Sequence, residues 1–333
     1  MNKMVRNAVI SSVVSFVLLA AVCGSHAWSQ PLPGGAYPSR PIRILVGFSP
    51  GSTTDIMARL VAQKMNETWG QPVVVDNRAS GGGVLASSVV ASANADGHTL
   101  LSVSAGHAVS AALYSKLPYD TLRDFAGITL IATVPSILVV APGSGVKSMK
   151  DLIALARSKP GAFNYSSPGI GSANHLAGEL LKSLAKIDVA HVPFKGIPEA
   201  LTAPLQGSVL FNLSPIVNVM PLAKGGKLTA LATSTGKRAA AMPDLPTIAE
   251  AGVPGYVFDP WFGLLTTAKT PRAVITTLNR EVLRTLDLPD VKTRLLTLGA
   301  EPTPTTPEQF DAHIKAEIVK FTKIVKDGNI RVD

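Results

Sequence analysis

Twice in this chain an apolar run of strand character breaks into Ser-Pro-Gly and then opens a helix at a hydroxyl residue. The first run, Ile42-Arg43-Ile44-Leu45-Val46, leads into Gly47-Phe48-Ser49-Pro50-Gly51-Ser52-Thr53-Thr54-Asp55. The second, Phe163-Asn164-Tyr165-Ser166, leads into Ser167-Pro168-Gly169-Ile170-Gly171-Ser172, ahead of a helical stretch over 173–184. Each junction combines helix-start N–H groups that lack intrahelical partners, glycines that let a ligand approach the backbone, and the positive end of a helix dipole. One such junction is an ordinary strand-to-helix connection. Two of them, far apart in the chain, predict two lobes that clamp an anion from both sides, the shape of a solute-binding protein.

The surrounding pattern gives an α/β fold. Strands predicted over 42–46, 73–76 and 99–104 alternate with helices over 53–69 and 83–93, as in parallel βαβ units. Apolar runs over 128–134 and 137–140 follow, and then a second alternation. Its helix over 149–158 is opened by Ser148, with Asp151 at the third helical position. Strands over 163–166, 189–192, 209–213 and 228–232 are separated by helices over 173–184, 198–205 and 218–224. A strand over 257–266 leads to helices over 271–286, 290–298 and 307–326, each opened near a proline. This asymmetric count resolves if the chain leaves the first lobe near 139–143 and returns near 257–265. Domain 1 then comprises 37–140 and 258–333, domain 2 comprises 141–257, and the two crossings form a hinge.

The length of 333 residues, with 46% hydrophobic content, suits two domains of ordinary size. Residues 1–27 read as a cleavable secretory signal. Lys3 and Arg6 supply the basic end, an apolar core covers 8–22, and Ser25-His26-Ala27 fits the cleavage site. A membrane anchor is the alternative, but the apolar core is short for spanning. A lipoprotein would use Cys23, against which stands the bulk of Val22. Cleavage after Ala27 would discard Cys23, the one cysteine, and with it any disulfide or thiol chemistry. A cysteine-free exported chain suits a bacterial periplasm.

The formal net charge is +9, or +7 without Lys3 and Arg6. Basic residues such as Lys147, Lys150, Arg157 and Lys159 are scattered singly, so the sequence does not support a nucleic-acid partner. A modest positive field would help collect an anionic solute.

Gly47-Phe48-Ser49-Pro50-Gly51 matches the G-x-S-x-G nucleophile elbow of hydrolases. The residue after the nucleophile must donate its N–H to the oxyanion hole, and Pro50 has none. Gly81-Gly82-Gly83-Val84-Leu85-Ala86 matches a dinucleotide fingerprint but sits past the strand end, with no acidic partner at the ribose distance. It reads better as a flexible loop facing the cleft with backbone donors. His98, His107, His175, His191 and His313 show no metal-ligand spacing. His175 reads as a helix-terminal hydrogen-bonding residue or a ligand contact, and Trp261 and Phe262 as core or hinge packing before a stacking platform. Asp55 is expected to hold the shape of its loop rather than touch the ligand's charge.

Further phrases complete the picture: Tyr37-Pro38-Ser39-Arg40-Pro41, Asp76-Asn77-Arg78, Asp96-Gly97-His98-Thr99-Leu100 and Leu117-Pro118-Tyr119-Asp120. Others are His175-Leu176-Ala177-Gly178-Glu179, His191-Val192-Pro193-Phe194-Lys195-Gly196, Leu245-Pro246-Thr247-Ile248-Ala249-Glu250-Ala251-Gly252 and Leu298-Gly299-Ala300-Glu301-Pro302. In this order they resemble the Bug family, the extracytoplasmic receptors of tripartite tricarboxylate transporters. The resemblance implies a two-lobed periplasmic binding protein fold with a hinge between two α/β domains. It also implies that the two Ser-Pro-Gly loops hold a ligand carboxylate through backbone groups and ordered water. A small organic acid or related molecule would be the ligand, and membrane subunits of a tripartite tricarboxylate transporter the partners. A sensing receptor of the same fold is the alternative.

The chain departs from the family's pattern at three positions. Ser52 stands where a second glycine usually follows the proline, and Leu210 and Ser214 stand where many relatives carry aspartates. If the aspartate replaced by Ser214 meets a ligand amine, its loss argues against an amino acid ligand. The expected ligand contacts are Phe48, Ser49, Gly51, Ser52, Thr53, Thr54 and Asp55 on the first loop, with Ser167, Gly169, Gly171, Ser172 and His175 on the second. The ligand's distal end is expected near Ser80, Ser104, His107 and Ser214. No catalytic residue, metal or cofactor is expected, and the protein is expected to be a monomer.

Overall fold

The first strand, β1 (Ile42–Val46), is apolar everywhere except Arg43, and its four apolar side chains are completely buried. It runs parallel between β2 (Val73–Asn77) and β3 (Thr99–Ser104), and a strand with partners on both edges and cover on both faces reads as a continuous apolar run. Helix α1 (Thr53–Trp69) returns the chain from β1 to β2. Met57, Ala58, Val61, Ala62 and Met65 form its buried stripe at helical spacing, and Gly70, at φ 62°, ends it in the left-handed region. The computed structural model describes residues 37–327 and residue 330. The expected signal over 1–27 lies outside the described residues. No helix among the described residues is long and apolar enough to cross a membrane.

Helix α2 (Val84–Ala91) precedes β3, and α3 (Gly106–Leu113) follows it. The first sheet is completed by β4 (Phe125–Thr133), β10 (Trp261–Thr267) and the short β11 (Glu301–Pro302). Its order is β11-β4-β10-β3-β1-β2, with β10 antiparallel to both β3 and β4. The C-terminal helices α8 (Arg272–Asp287), α9 (Pro289–Thr297) and α10 (Pro307–Asp327) return to this lobe, where α8 and α10 pack on β4.

The second sheet contains β5 (Ser136–Val140), β6 (Phe163–Ser167), β7 (Val189–Pro193), β8 (Phe211–Pro215) and β9 (Thr229–Thr233), in the order β7-β6-β8-β5-β9. Here β6 runs parallel to β7 and β8, and β5 runs antiparallel to β8 and β9. Helices α4 (Met149–Ser158), α5 (Ala173–Ala185), α6 (Ile197–Leu205) and α7 (Ile216–Lys224) connect these strands. Ser148 caps α4 as the sequence suggests, its hydroxyl accepting from the Asp151 amide at 3.1 Å.

The outward crossing lies earlier than expected. β5 belongs to the second sheet, so the chain changes sheets at Val134 and Pro135 rather than near residue 140. An apolar run around a proline does not reveal which sheet its second half joins. β8 extends to Pro215, which brings Ser214 inside the strand. Helix α3 has no sequence signal: it starts at a glycine with no capping side chain. Ser234 fastens the two crossings together. Its amide donates to Ser136 O at 2.8 Å, its hydroxyl accepts from the Ser136 amide at 3.2 Å and donates to Phe258 O at 2.7 Å, and its carbonyl accepts from the Phe258 amide at 2.8 Å.

Helix α5 rests on β6 through a close approach of Gly178 to the Tyr165 ring, where any Cβ would collide. Tyr165 is fully buried, and its hydroxyl donates to Glu179 at 2.8 Å. Overpacking a well-filled interior typically costs about 1–3 kcal/mol. Gly178→Ala should lower the urea midpoint by a corresponding amount. An unchanged midpoint would mean that α5 lifts off the sheet freely.

Candidate functional site

Both Ser-Pro-Gly junctions lie at the C-terminal ends of central parallel strands, β1 and β6, and both end in serine-capped helices. Ser52 Oγ accepts from the Asp55 amide at 3.3 Å, and Ser172 Oγ accepts from the His175 amide at 3.1 Å. A serine in extended conformation before the helix satisfies one orphan N–H and fixes where the helix begins.

Asp55 organises the first loop. Its buried carboxylate accepts from the Gly51 amide at 3.0 Å, from Asn77 Nδ2 at 3.0 Å and from Arg59 Nε at 3.0 Å. Asn77 Nδ2 also donates to Phe48 O at 3.0 Å, so one side chain spans the loop. Burial alone would raise the Asp55 carboxyl, but the hydrogen bonds from Arg59, Gly51 and Asn77 outweigh it and hold it below the ordinary value. Asp55 therefore faces its own loop and Arg59.

The second loop rests on two histidines. The His175 and His191 rings stack with centroids 4.1 Å apart. The Gly171 amide donates to His175 Nδ1 at 3.4 Å, and Ser167 Oγ lies 2.6 Å from His191 Nε2. Burial lowers both imidazoles, His191 to about 3. Ser167 is fully buried and binds Gly169 from both sides, accepting from its amide at 3.2 Å and donating to its carbonyl at 3.1 Å. This Ser–His pair braces a loop.

The two helix starts meet at one small cavity of about 20 Å³. It is lined from the first lobe by Phe48, Ser52, Thr54, Ser104, Pro260 and Phe262, and from the second by Pro168, Ser172, Ala173, Asn174, Ile197 and Pro215. A second cavity of about 10 Å³ shares Phe48 and Ser104 and reaches into the first lobe past Gly47, Gly82, Gly83, Ser87, Leu101, Ser102, Val103 and His107. No charged side chain lines either cavity. The lobes touch around them: a Cβ on Gly81 would lie 3.3 Å from Ile170 O, and one on Gly196 would collide with Ser49 Oγ. The clamp is shut, with room for about one water-sized group in each cavity.

Of the residues expected at the ligand, Phe48, Ser52, Thr54, Ser104, Ser172 and His107 line these cavities. Thr53 is buried beside them at the start of α1. Ser49, Gly51, Asp55, Ser167, Gly169, Gly171 and His175 lie outside the linings and build the two loops. Ser80 also lies outside, its hydroxyl accepting from the Leu85 amide at 2.9 Å. Ser214 is completely buried outside both cavities, and its hydroxyl has no hydrogen-bond partner within the protein. Asn174, Ser87 and Ser102 are polar lining residues the sequence reading missed. Asn174 Nδ2 donates to Leu213 O at 2.6 Å, and its one signal is its place in the first turn of a serine-capped helix. Ile197 and Pro215 are apolar walls without a local signature, and Phe262, expected as core or hinge packing, is a third. The Gly81–Gly83 turn packs on the second loop, as a cleft-facing loop should. Among the described residues no three His, Cys, Asp or Glu side chains converge as a metal site would require.

His107 is enclosed by a stacked Tyr119 and an edge-on Phe125, and Ser87 Oγ lies 3.4 Å from its Nδ1. Burial pushes its imidazole from 6.5 down to about 4. The unfolded chain therefore takes up this proton first, and stability held above pH 6.5 is lost as the pH falls toward 4. The loss from this one ring is on the order of 3 kcal/mol by pH 4. Urea midpoints should decline over that window, and less steeply in His107→Leu. A decline that His107→Leu leaves untouched would mean the folded ring is already solvated.

Comparison with known proteins gives one consistent relationship. The sequence profile of the tripartite tricarboxylate transporter family receptor matches residues 57–330. The protein BugT of Bordetella pertussis is 35% identical over 91% of this chain and 94% of its own length. A protein of R. palustris solved with adipate superposes with a TM-score of 0.86 at 36% identity, covering 89% of this chain and 99% of the other. MatC from Rhodopseudomonas palustris, solved with bound malate, superposes with a TM-score of 0.82 at 34% identity, covering 87% and 100%. The chain belongs to the family of tripartite tricarboxylate transporter receptors, a family of two-lobed solute-binding proteins.

Proposed function

We propose that this chain is a periplasmic receptor that captures a small carboxylate-bearing solute between its lobes and delivers it to the membrane subunits of a tripartite transporter. The observation that carries this reading is the convergence of two serine-capped helix starts, at Ser52 and Ser172, on one cavity without charged lining. Helix-end fields contribute about 0.3–1 kcal/mol at exposed sites and up to about 2 when partly buried. Several donors must therefore converge. The hydroxyls of Ser52, Thr54, Ser104 and Ser172 and the first amides of α1 and α5 supply them. Relatives solved with adipate and with malate fit the same chemistry.

The protein binds its solute without transforming it. Ser49 lies outside both cavities, against Gly196, and Pro50 supplies no oxyanion donor. A ligand ammonium would find no carboxylate in the lining, which favours organic acids over amino acids. Adipate or malate should raise the melting temperature in proportion to RT ln(1 + [L]/Kd), and aspartate and glutamate should not. Ser172→Ala, which removes a helix cap and a lining hydroxyl, should weaken binding about tenfold. Selective stabilisation by aspartate or glutamate would overturn the ligand class, and Ser49-dependent ester turnover would overturn the binding role.

A further inference from the structure

One amide bridges the lobes at the first loop. Asn218, on α7 of the second lobe, donates from Nδ2 to Gly51 O at 3.1 Å and accepts from Thr53 Oγ1 at 2.7 Å. Gly51 belongs to the Ser-Pro-Gly turn, and Thr53 is the first residue of α1. The two contacts grip the loop on either side of Ser52, the residue that caps α1 and lines the cavity. Asn218 itself lines neither cavity. It sits where closure can be sensed without contact with solute.

We infer that Asn218 is a positioning residue, a latch that holds the lobes shut and ties their closure to the correct shape of the first anion loop. The donor and acceptor of the amide match their partners one to one: a carbonyl that needs a donor and a hydroxyl that needs an acceptor. Aspartate keeps only the second of these bonds, and alanine neither. Gly51 offers its carbonyl to Asn218 while its amide donates to Asp55, at 3.0 Å. The latch engages a loop that Asp55 has already ordered. Each neutral hydrogen bond of this kind contributes modestly. Two acting together are enough to shift the balance between shut and open forms severalfold, yet leave it reversible.

This inference rests on the cleft being the solute site, and it is tested without solute. Spin labels at Ala154→Cys on α4 and Arg280→Cys on α8, in the full chain carrying Cys23→Ser, report the distance between lobes. The parent protein should show a dominant short distance. Asn218→Ala should reduce that population at least fivefold, while unfolding stays a single cooperative transition whose melting temperature falls only by the small amount the lost shut state accounts for. Thr53→Val should act in the same direction and add little to Asn218→Ala, because both break one bridge, and Asn218→Asp should fall between parent and alanine. If Asn218→Ala fails to fold, Thr53→Val carries the comparison. A distance distribution unmoved by these substitutions, or a parent protein open throughout, overturns the latch. Absence of thermal stabilisation by adipate and malate counts instead against the solute reading and leaves the distance measurement intact.

Discussion

The architecture depends on Ser234. The chain passes between its two sheets at Val134–Pro135 and again between β9 and β10, and Ser234 joins the two passages through hydrogen bonds to Ser136 and Phe258. Two neighbouring strands of chain, bonded to each other, can bend together but cannot slide apart. Such a joint suits rigid-body bending of the lobes about one seam, as in hinge closure. Parallel strands in each sheet deliver their C-terminal ends to that seam, and ligands of open α/β sheets gather outside such ends. Both Ser-Pro-Gly junctions face each other because of this constraint, although nothing in either loop specifies it.

Electrostatics at the site follow a division of labour. A helix start attracts any anion, including an acidic residue of its own first turn. In α1 that residue is Asp55, and the Arg59 guanidinium one turn further on balances its charge. Ser52 and Thr54 of the same turn line the cavity instead. In the second lobe the same loop geometry is braced by His175 and His191, which burial keeps neutral. A loop braced without formal charge can hold an anion only through directed donors, so the positions of the donors matter more than field strength.

The sequence was read correctly wherever local physics decides. Ser52, Ser148 and Ser172 cap the helices assigned to them, and the buried stripe of α1 follows its periodicity. The reading shifted where long-range pairing decides. Nothing in Ser136–Val140 distinguishes a last strand of the first sheet from an inner strand of the second. Helix α3, which carries His107, starts at Gly106 without a cap and is held by packing. Asn174, Ile197 and Pro215 enter the cavity through the approach of one lobe to the other, a relationship no window of sequence contains. Ser214 drew notice as a departure from a family pattern, yet the pleat of β8 buries it away from both cavities.

Closure itself is a problem of backbone contact. Gly81 meets Ile170 O, Gly82 meets Gly171 O, and Gly196 meets Ser49 Oγ, so at several points the lobes touch where one side has no side chain. Gly82 and Gly171 both adopt positive φ, 62° and 77°, which a larger residue would resist. Those glycine contacts gain little from apolar burial, because they have few side-chain atoms to bury. At these points closure draws on directed bonds such as those of Asn218. This is the balance a receptor needs, since a wide apolar seam would hold the lobes together and trap the cargo.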